Sequence, residues 1–543
     1  MTARGDVLAR ARDTALGRAA AWIKTPAGAL TVLIVATSAV RLLFAAALGL
    51  GVDESYMVAA GRDWQLGYFD HPPVAWWLAW AAVRLAGSDA PIVVRLPFVA
   101  LFVLSTVLMY RATAALFDKR AGLSAAAVLN AAPVLGVTSA TWVLPDGPLI
   151  AALLGSLCCL IRGLPAEGRA AWGWWLGAGI CAGLALSSKY SAALTIAGAL
   201  FFLLTEPSSR RWLLRPHPYA AGLAALVMFL PELMWNAQHR WVSFAFQGGR
   251  AVGHFFPFGP LAAIGGAALY FLPWIWLPLV LCAIGAVRRG PADRARWLLL
   301  CLAAPPILLF TTIALWSHIL FHWTAPGYLM LVPLLGEAIG RRWWLSRWVR
   351  VASAATGVLV VILMAAVAGD VRFNWLAGAY PGFVQAQDPA MAIVDWTALR
   401  SELARRGLLD RPGLVVAATR WLDAGKIDYA LRGRLPVLCL CKDPHQYGII
   451  APIPRFAGSD VLIIAPRTTA AEITARFGKS FQSIEMLPPA IVLHAGRPAL
   501  TLPLYLGHRL GPLPTAAEYR YEIRGYRSAP LAPLRGSYFR ASV

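Results

Sequence analysis

The chain has 543 residues, 59% of them hydrophobic and 14% charged, with a formal net charge of +22; its mean hydropathy is +0.60. Soluble domains carry about a quarter charged residues. The composition therefore excludes a soluble globular enzyme, a disordered chain and a collagen-like fibre, and it indicates a polytopic helical membrane protein.

The positive charge does not point to nucleic acid, because basic residues at the ends of membrane spans raise the net charge by themselves. A helix of about 20 apolar residues crosses a bilayer, and cytoplasmic connections carry the excess of Lys and Arg. Residues 1–27 are basic, with Arg4, Arg10, Arg12, Arg18 and Lys24, and precede a first apolar run at 28–50. This places the N-terminus in the cytoplasm. The run is too long for the core of a signal peptide and is expected to stay as an anchor. Further runs fall near 91–110, 121–137, 147–161, 172–187, 190–205, 218–235, 260–287, 297–316, 323–340 and 351–369, so that region 28–369 is expected to hold about eleven spans. Alternate connections hold the arginine clusters, among them Arg210, Arg211 and Arg215, then Arg288, Arg289, Arg294 and Arg296. The remaining connections, including 51–90, 138–146, 188–189, 236–259 and 317–322, face outward. Trp76, Trp142, Trp235 and Trp316 lie near span ends and suggest an aromatic belt.

Polar residues gather in the outward connections. The first outer loop, 51–90, begins GVDESYMVAAGRDWQLGYFDHPPVAWW, with Asp53 and Glu54 at the mouth of the first span. Acids there act as helix caps or as site residues. Ser55 to Leu66 is expected to form an amphipathic interfacial helix, and Tyr68, Asp70 and His71 lead into Pro72 and Pro73, which open a Trp-rich helix. Asp146 opens the fourth span in TWVLPDGPL, as an N-cap or as a second acid of a site. Lys189, within SSKYS, sits on an outer turn against the orientation rule; it either snorkels or meets an anion such as phosphate. His318 and His322 are four residues apart and share one face if that segment is helical, although no H-E-x-x-H pattern accompanies them. All these clusters fall on one side by a topology read from arginines alone. Acids and a cation beside hydrocarbon suit a substrate with a phosphate head and a lipid tail.

Beyond Asp370 the composition changes. GLVVAAT (413–419), RLPVLCL (434–440) and DVLIIAP (460–466) read as buried strands. Residues 396–407 and 469–478 read as helices, the latter with Thr469 as N-cap. Strand–helix alternation predicts an extramembrane α/β domain over 370–543, placed outside by the odd number of spans. Its tail from Glu518 is rich in Arg and Tyr. Five of the seven cysteines lie in apolar runs and read as small buried hydrophobes. Cys439 and Cys441 point the same way on a strand, but so short a disulfide ring is strained. No disulfide framework and no metal site is read.

D-E-x-Y, Y-F-D-H-P-P, L-P-D-G-P-L, S-K-Y, W-N-A-Q-H-x-W-x-S-F and H-W-x-A-P-x-Y-L occur in this order within residues 28–340. Together they resemble the type C membrane glycosyltransferases, in the branch of the protein O-mannosyltransferases and the lipid A aminoarabinose transferase. The resemblance implies the type C fold and transfer of one sugar from a polyprenyl-phosphate donor, undecaprenyl phosphate in a bacterium. The implied acceptor is lipid A, another envelope glycan or lipid, or a protein, reached at the periplasmic face of the inner membrane. The resemblance puts Asp53 at the catalytic acidic position, accompanied by Glu54, and Asp146 at a second acid of the cavity. Asp70 and His71 align with an acid and, in the aminoarabinose enzymes, with a lysine that meets the lipid phosphate. His71 departs from that pattern, so Lys189 with His71 is expected to clamp the phosphate. Tyr68, His318 and His322 are counted with the substrate-binding residues. No cofactor is implied with certainty, and a divalent metal ion is compatible with the pattern. A lipid-linked sugar carrier or flippase is the competing reading, disfavoured by the lack of an internal inverted repeat. An O-antigen ligase or polymerase would use arginine-rich outer loops, whereas these are marked by acids and histidines.

Overall fold

A computed structural model describes residues 21–250, 253–343, 345–373, 375, 393–494 and 497–511. Arg4, Arg10, Arg12 and Arg18 and the tail from Glu518 lie outside the described residues. The chain forms two compact units. The first runs to Trp241 and resumes from Gly253 to Asp395; the second takes the short stretch that begins at Val242, then Trp396 to Val492, and resumes at Pro498. By this division the second unit takes up the chain again at Trp396.

In the first unit every apolar run is helical. In chain order the helices are α1 (Pro26–Ala47), α2 (Val52–Ala60), α3 (Val74–Ala86), α4 (Pro91–Leu116), α5 (Lys119–Ala131), α6 (Asp146–Gly163), α7 (Gly168–Leu186) and α8 (Ala192–Thr205). They continue with α9 (Pro216–Gln238), α10 (Gly259–Phe271), α11 (Pro273–Arg289), α12 (Arg294–Ile313), α13 (Ala325–Arg342) and α14 (Arg347–Phe373). Among the described residues seven helices are long and apolar enough to cross a membrane, or eight if one bent pair forms a single span.

Two of the runs are broken, and proline explains both. The residue before a proline is pushed out of the helical region. Ala132 precedes Pro133, and α5 bends by 77° into the next helical segment. Leu272 precedes Pro273 and adopts φ +70°, splitting the run 260–287 into α10 and α11. The first bend is a π-helical turn, Val134–Thr138. It is held by buried Arg41, whose Nε donates to the Gly136 carbonyl (2.8 Å) and whose Nη2 donates to Asn130 Oδ1 (2.9 Å). Elsewhere the helices pack through small residues, as membrane helices do. A Cβ at Gly179 on α7 would sit 2.1 Å from the Ala221 carbonyl oxygen on α9, so only glycine permits that approach.

One end of this bundle carries the arginines. Arg296 on α12 pairs with Glu337 on α13 at 2.5 Å, Arg341 joins the same carboxylate at 3.2 Å, and Arg294 meets Glu206 at 3.4 Å. The opposite helix ends carry Asp146, Lys189 and Glu232.

The second unit holds a five-stranded sheet of order β2-β1-β3-β5-β4. Its strands are β1 (Val415–Ala418), β2 (Val437–Cys439), β3 (Val461–Ile464), β4 (Phe481–His494) and β5 (Arg497–Leu510). β1 is parallel to both β2 and β3, and β3 is antiparallel to β5. Helices α15 (Ala398–Arg405), α16 (Trp421–Leu431) and α17 (Ala470–Phe477) complete the unit. Thr469 caps α17 in a capping box: its Oγ1 accepts from the Glu472 N–H (3.3 Å), and Glu472 accepts from the Thr469 N–H (2.8 Å). The three strands and two helices expected from composition are present. The helix α16 and the hairpin β4–β5 had no clear signal there.

Candidate active site

The site is built where the 51–90 segment meets the start of α6 and the ends of α7 and α9. Asp53 and Glu54 are neighbours in α2 with opposite fates. Glu54 is fully buried, whereas Asp53 is exposed. Each Glu54 oxygen takes one bond from Arg95 and one from the backbone. Arg95 Nε donates to Oε1 (2.8 Å) and Nη2 to Oε2 (2.5 Å), with the N–H groups of Val143 (3.0 Å) and Gly51 (2.8 Å) beside them. Arg95 also donates to the carbonyls of Ala45, Leu48 and Gly49, closing the C-terminal end of α1. Burial by itself raises a carboxyl pKa; here the Arg95 guanidinium and the two N–H groups outweigh it and hold Glu54 below the usual carboxylate range. Glu54 has no lone pair left for substrate. In this structure it is an anchor that ties α1, α2, α4 and the 142–145 turn together. Helix α2 is likewise not an amphipathic surface helix, since Glu54 to Ala60 are all buried.

Through Val143 the anchor brings the turn bearing Asp53 against the start of α6, where Asp146 stands. Asp146 does not cap its helix. Both its oxygens accept from Lys189 Nζ, at 2.9 and 3.1 Å, and both side chains are nearly buried. Lys189 therefore neither snorkels nor stands alone. His322 and His71 also lie near enough to Asp146 to act on its charge. His318 does not join this set. Residues 318–320 belong to no helix, His318 is exposed, and His322 belongs to a short 3-10 turn, Phe321–Thr324, so the two histidines share no helical face.

The loop between α2 and α3 is tightly held. Tyr68 is fully buried and stacks on Trp76, ring centroids 4.2 Å apart. Its hydroxyl accepts from the Gln65 N–H (3.3 Å), and burial raises its pKa. In this structure it packs the loop, stacked on Trp76. Asp70 Oδ1 accepts from the Tyr56 hydroxyl at 3.2 Å. Trp235 donates to the Gln65 side chain (2.9 Å), and the Val74 N–H donates to the Ser187 carbonyl (3.0 Å), next to Lys189. Trp76 and Trp235 are thus interior residues and not part of an aromatic belt. Among the described residues no group of three or more His, Cys, Asp or Glu side chains is arranged to hold a metal ion.

A cavity of about 510 Å³ starts beside this polar cluster. Val74, Pro148 and Ser188 line its near end, Leu101 and Leu104 its wall, and Arg111 and Arg162 its far end. It follows α6 from Pro148 to Arg162 and is walled mainly by apolar side chains.

Residues 70–235 match the family described as dolichyl-phosphate-mannose-protein mannosyltransferase. The lipid A galacturonosyltransferase RgtD of Rhizobium johnstonii is 25% identical over 299 residues, which cover 51% of this chain and 58% of that protein. The match thus spans less than two thirds of that relative. The apo structure of ArnT from Cupriavidus metallidurans superposes with a TM-score of 0.63 at 17% identity, over 89% of this chain and 98% of that one. The same protein bound to undecaprenyl phosphate gives a TM-score of 0.59 at 16% identity, with the same coverage. The chain has the fold of the type C membrane glycosyltransferases.

Within this fold two residues outside the recognised motifs organise the site. Arg95 is one. The other is Glu232 on α9, fully buried, whose Oε1 accepts from the Tyr190 hydroxyl and from Asn236 Nδ2 (2.7 Å). Its Oε2 has no hydrogen-bond partner and lies against Gly67, where a Cβ would approach to 2.4 Å. Glu232 therefore sits between the loop and the residue next to Lys189, close enough to Asp70 for the two acids to interact. The signal for both was present in the sequence: an ionisable residue inside an apolar run, which a membrane protein retains only for a partner or a function.

Proposed function

We propose that this protein transfers a single sugar from a polyprenyl-phosphate donor to lipid A or a related envelope acceptor at the outer face of the bacterial inner membrane. The observation that carries the reading is the buried Asp146–Lys189 pair at the head of the apolar cavity. The apolar walls suit part of a lipid chain, and a phosphate at the end lined by Pro148 and Ser188 would fall near the Lys189 ammonium. Lys189 has three N–H donors, of which Asp146 takes two, so one remains for the phosphate. His71 and His322 add donors around the same point. Displacement at the sugar C1 needs positive charge on the departing phosphate and an acceptor oxygen, with a base if that oxygen is a hydroxyl. In this reading Asp53, exposed at the start of α2, is the base. Where the acceptor is itself a phosphate, Asp53 orients it. The relative active on lipid A and the likeness in fold to a protein solved with undecaprenyl phosphate support the choice of acceptor and donor.

Lys189→Ala is expected to weaken apparent donor affinity by about 1.5–3 kcal/mol, on the order of 10–100-fold, the loss of a charge-assisted hydrogen bond. Because the single change strands a buried Asp146, the double variant Lys189→Met with Asp146→Asn serves as the folding control. It removes both charges and should fold while remaining poor in donor binding. Donor-titration kinetics that leave affinity and maximal rate unchanged in both variants would remove Lys189 from the phosphate site. The sidedness rests on the arginine-rich connections. A reporter active only in the periplasm, fused after Val543, is expected to be active; cytoplasmic behaviour of that fusion would put the site on the wrong face.

A further inference from the structure

The second unit carries a group of side chains that sugar transfer does not use. β2 ends at Cys439, and Cys441 follows it with its Sγ turned to 2.6 Å from the Cys439 Sγ. Both are free thiols. Cys439 pairs in register with Ala418 at the end of β1, so the sulfurs lie at the C-terminal edge of the parallel strands. Asp423, in the first turn of the helix that follows β1, is 4% exposed and its Oδ2 has no hydrogen-bond partner. It lies near enough to Cys439 for its charge to oppose a thiolate there. The two thiols differ in exposure and in surroundings. Cys439 is almost fully buried, and that burial pushes its thiol up. Cys441 is partly exposed; the hydrogen bond from Cys439, the Asp443 N–H and the nearby His445 favour its thiolate and lower it. His445 stacks on Trp421 with ring centroids 4.1 Å apart and bonds Asp443 at 3.1 Å, which fixes the loop beside Cys441.

We propose that Cys439 and Cys441 form a redox site that exchanges with low-molecular-weight disulfides, with Cys441 as the attacking sulfur, Cys439 as the resolving one and Asp423 as its proton acceptor. The Cys441 thiolate attacks one sulfur of the disulfide RSSR. A mixed disulfide forms on Cys441, and RS⁻ leaves and takes up a proton. Cys439 then passes its proton to the Asp423 carboxylate and attacks Cys441 Sγ, and the second RS⁻ leaves. Two protein thiols are oxidised to one disulfide, and RSSR is reduced to two RSH. The ring formed is short and strained, so a thiol reopens it readily.

The test uses the full chain in detergent, equilibrated with oxidised glutathione, then alkylated and mapped by peptide mass spectrometry. The expected product is a Cys439–Cys441 disulfide that reverts to two alkylated thiols after reduced glutathione is added. Cys439→Ser should trap glutathione on Cys441, and Asp423→Asn should slow the second step at least ~10-fold, so that the mixed disulfide accumulates, the order expected when a positioned proton acceptor is lost. Recovery of both residues as alkylated thiols after exposure to oxidised glutathione overturns the proposal. So does a disulfide that forms equally fast in Asp423→Asn, for the role of the acid. The wild-type chain alone decides the first point, so a variant that fails to fold does not blunt the test.

Discussion

Asp53→Asn is expected to leave a folded, membrane-inserted protein whose turnover falls at least ~100-fold, the usual range for losing a general base. Three observations lead there. Asp53 is the exposed member of an acidic pair whose other member is fully committed. Its turn is fixed against the start of α6 through the Glu54–Val143 bond. Asp146 and Lys189 stand at that start, paired and buried. The amide keeps the size of the carboxylate and loses its charge and basicity, and no internal hydrogen bond of Glu54 depends on it. Steady-state transfer by purified enzyme, with donor and acceptor both saturating, isolates the chemical step. Turnover near that of the unaltered protein would sink the assignment of Asp53 as base, whatever the acceptor.

Glu54→Gln is expected to fail in a different way. A buried ion pair broken on one side leaves an uncompensated charge and costs about 3–5 kcal/mol. Here Arg95 would be left inside the bundle, still bonded to the carbonyls that end α1. The expected result is a lowered melting temperature and poor recovery from the membrane, with transfer lost in proportion to folded protein and not per folded molecule. Glu54→Gln combined with Arg95→Met, which removes both charges, should recover much of the stability. The pH dependence follows the same pair. The carboxyl of Glu54 is held below its ordinary value in the folded state. Its contribution is therefore present above the unfolded pKa of about 4.3 and is lost as pH falls through the lower folded value. The double variant should lose less stability on acidification than the unaltered protein does. An unaltered melting temperature in Glu54→Gln would show that the anchor carries no stability.

The amino-acid sequence by itself determined the membrane class, the helical runs, the side on which the arginines lie and the strands of the second unit. Each of these depends on composition or on a period within one segment, which neighbouring residues settle among themselves. Proline acts in the same local way: Ala132–Pro133 and Leu272–Pro273 mark the two broken runs, because the clash that breaks the helix lies between adjacent residues. What the residues of the site touch was decided only by the fold. Asp53 and Glu54 are adjacent and chemically alike, yet Arg95, 41 residues further on, claims one of them and leaves the other exposed. Lys189 on its turn admits snorkelling or an anion until Asp146, 43 residues away, holds it. Tyr68 has the chemistry of a ligand residue, but Trp76 covers it. The same partner problem hid Glu232, whose hydroxyl and amide partners come from the turn before α8 and from α9. A buried charge is defined by the group that neutralises it, and in a bundle of packed helices that group comes from a distant part of the chain.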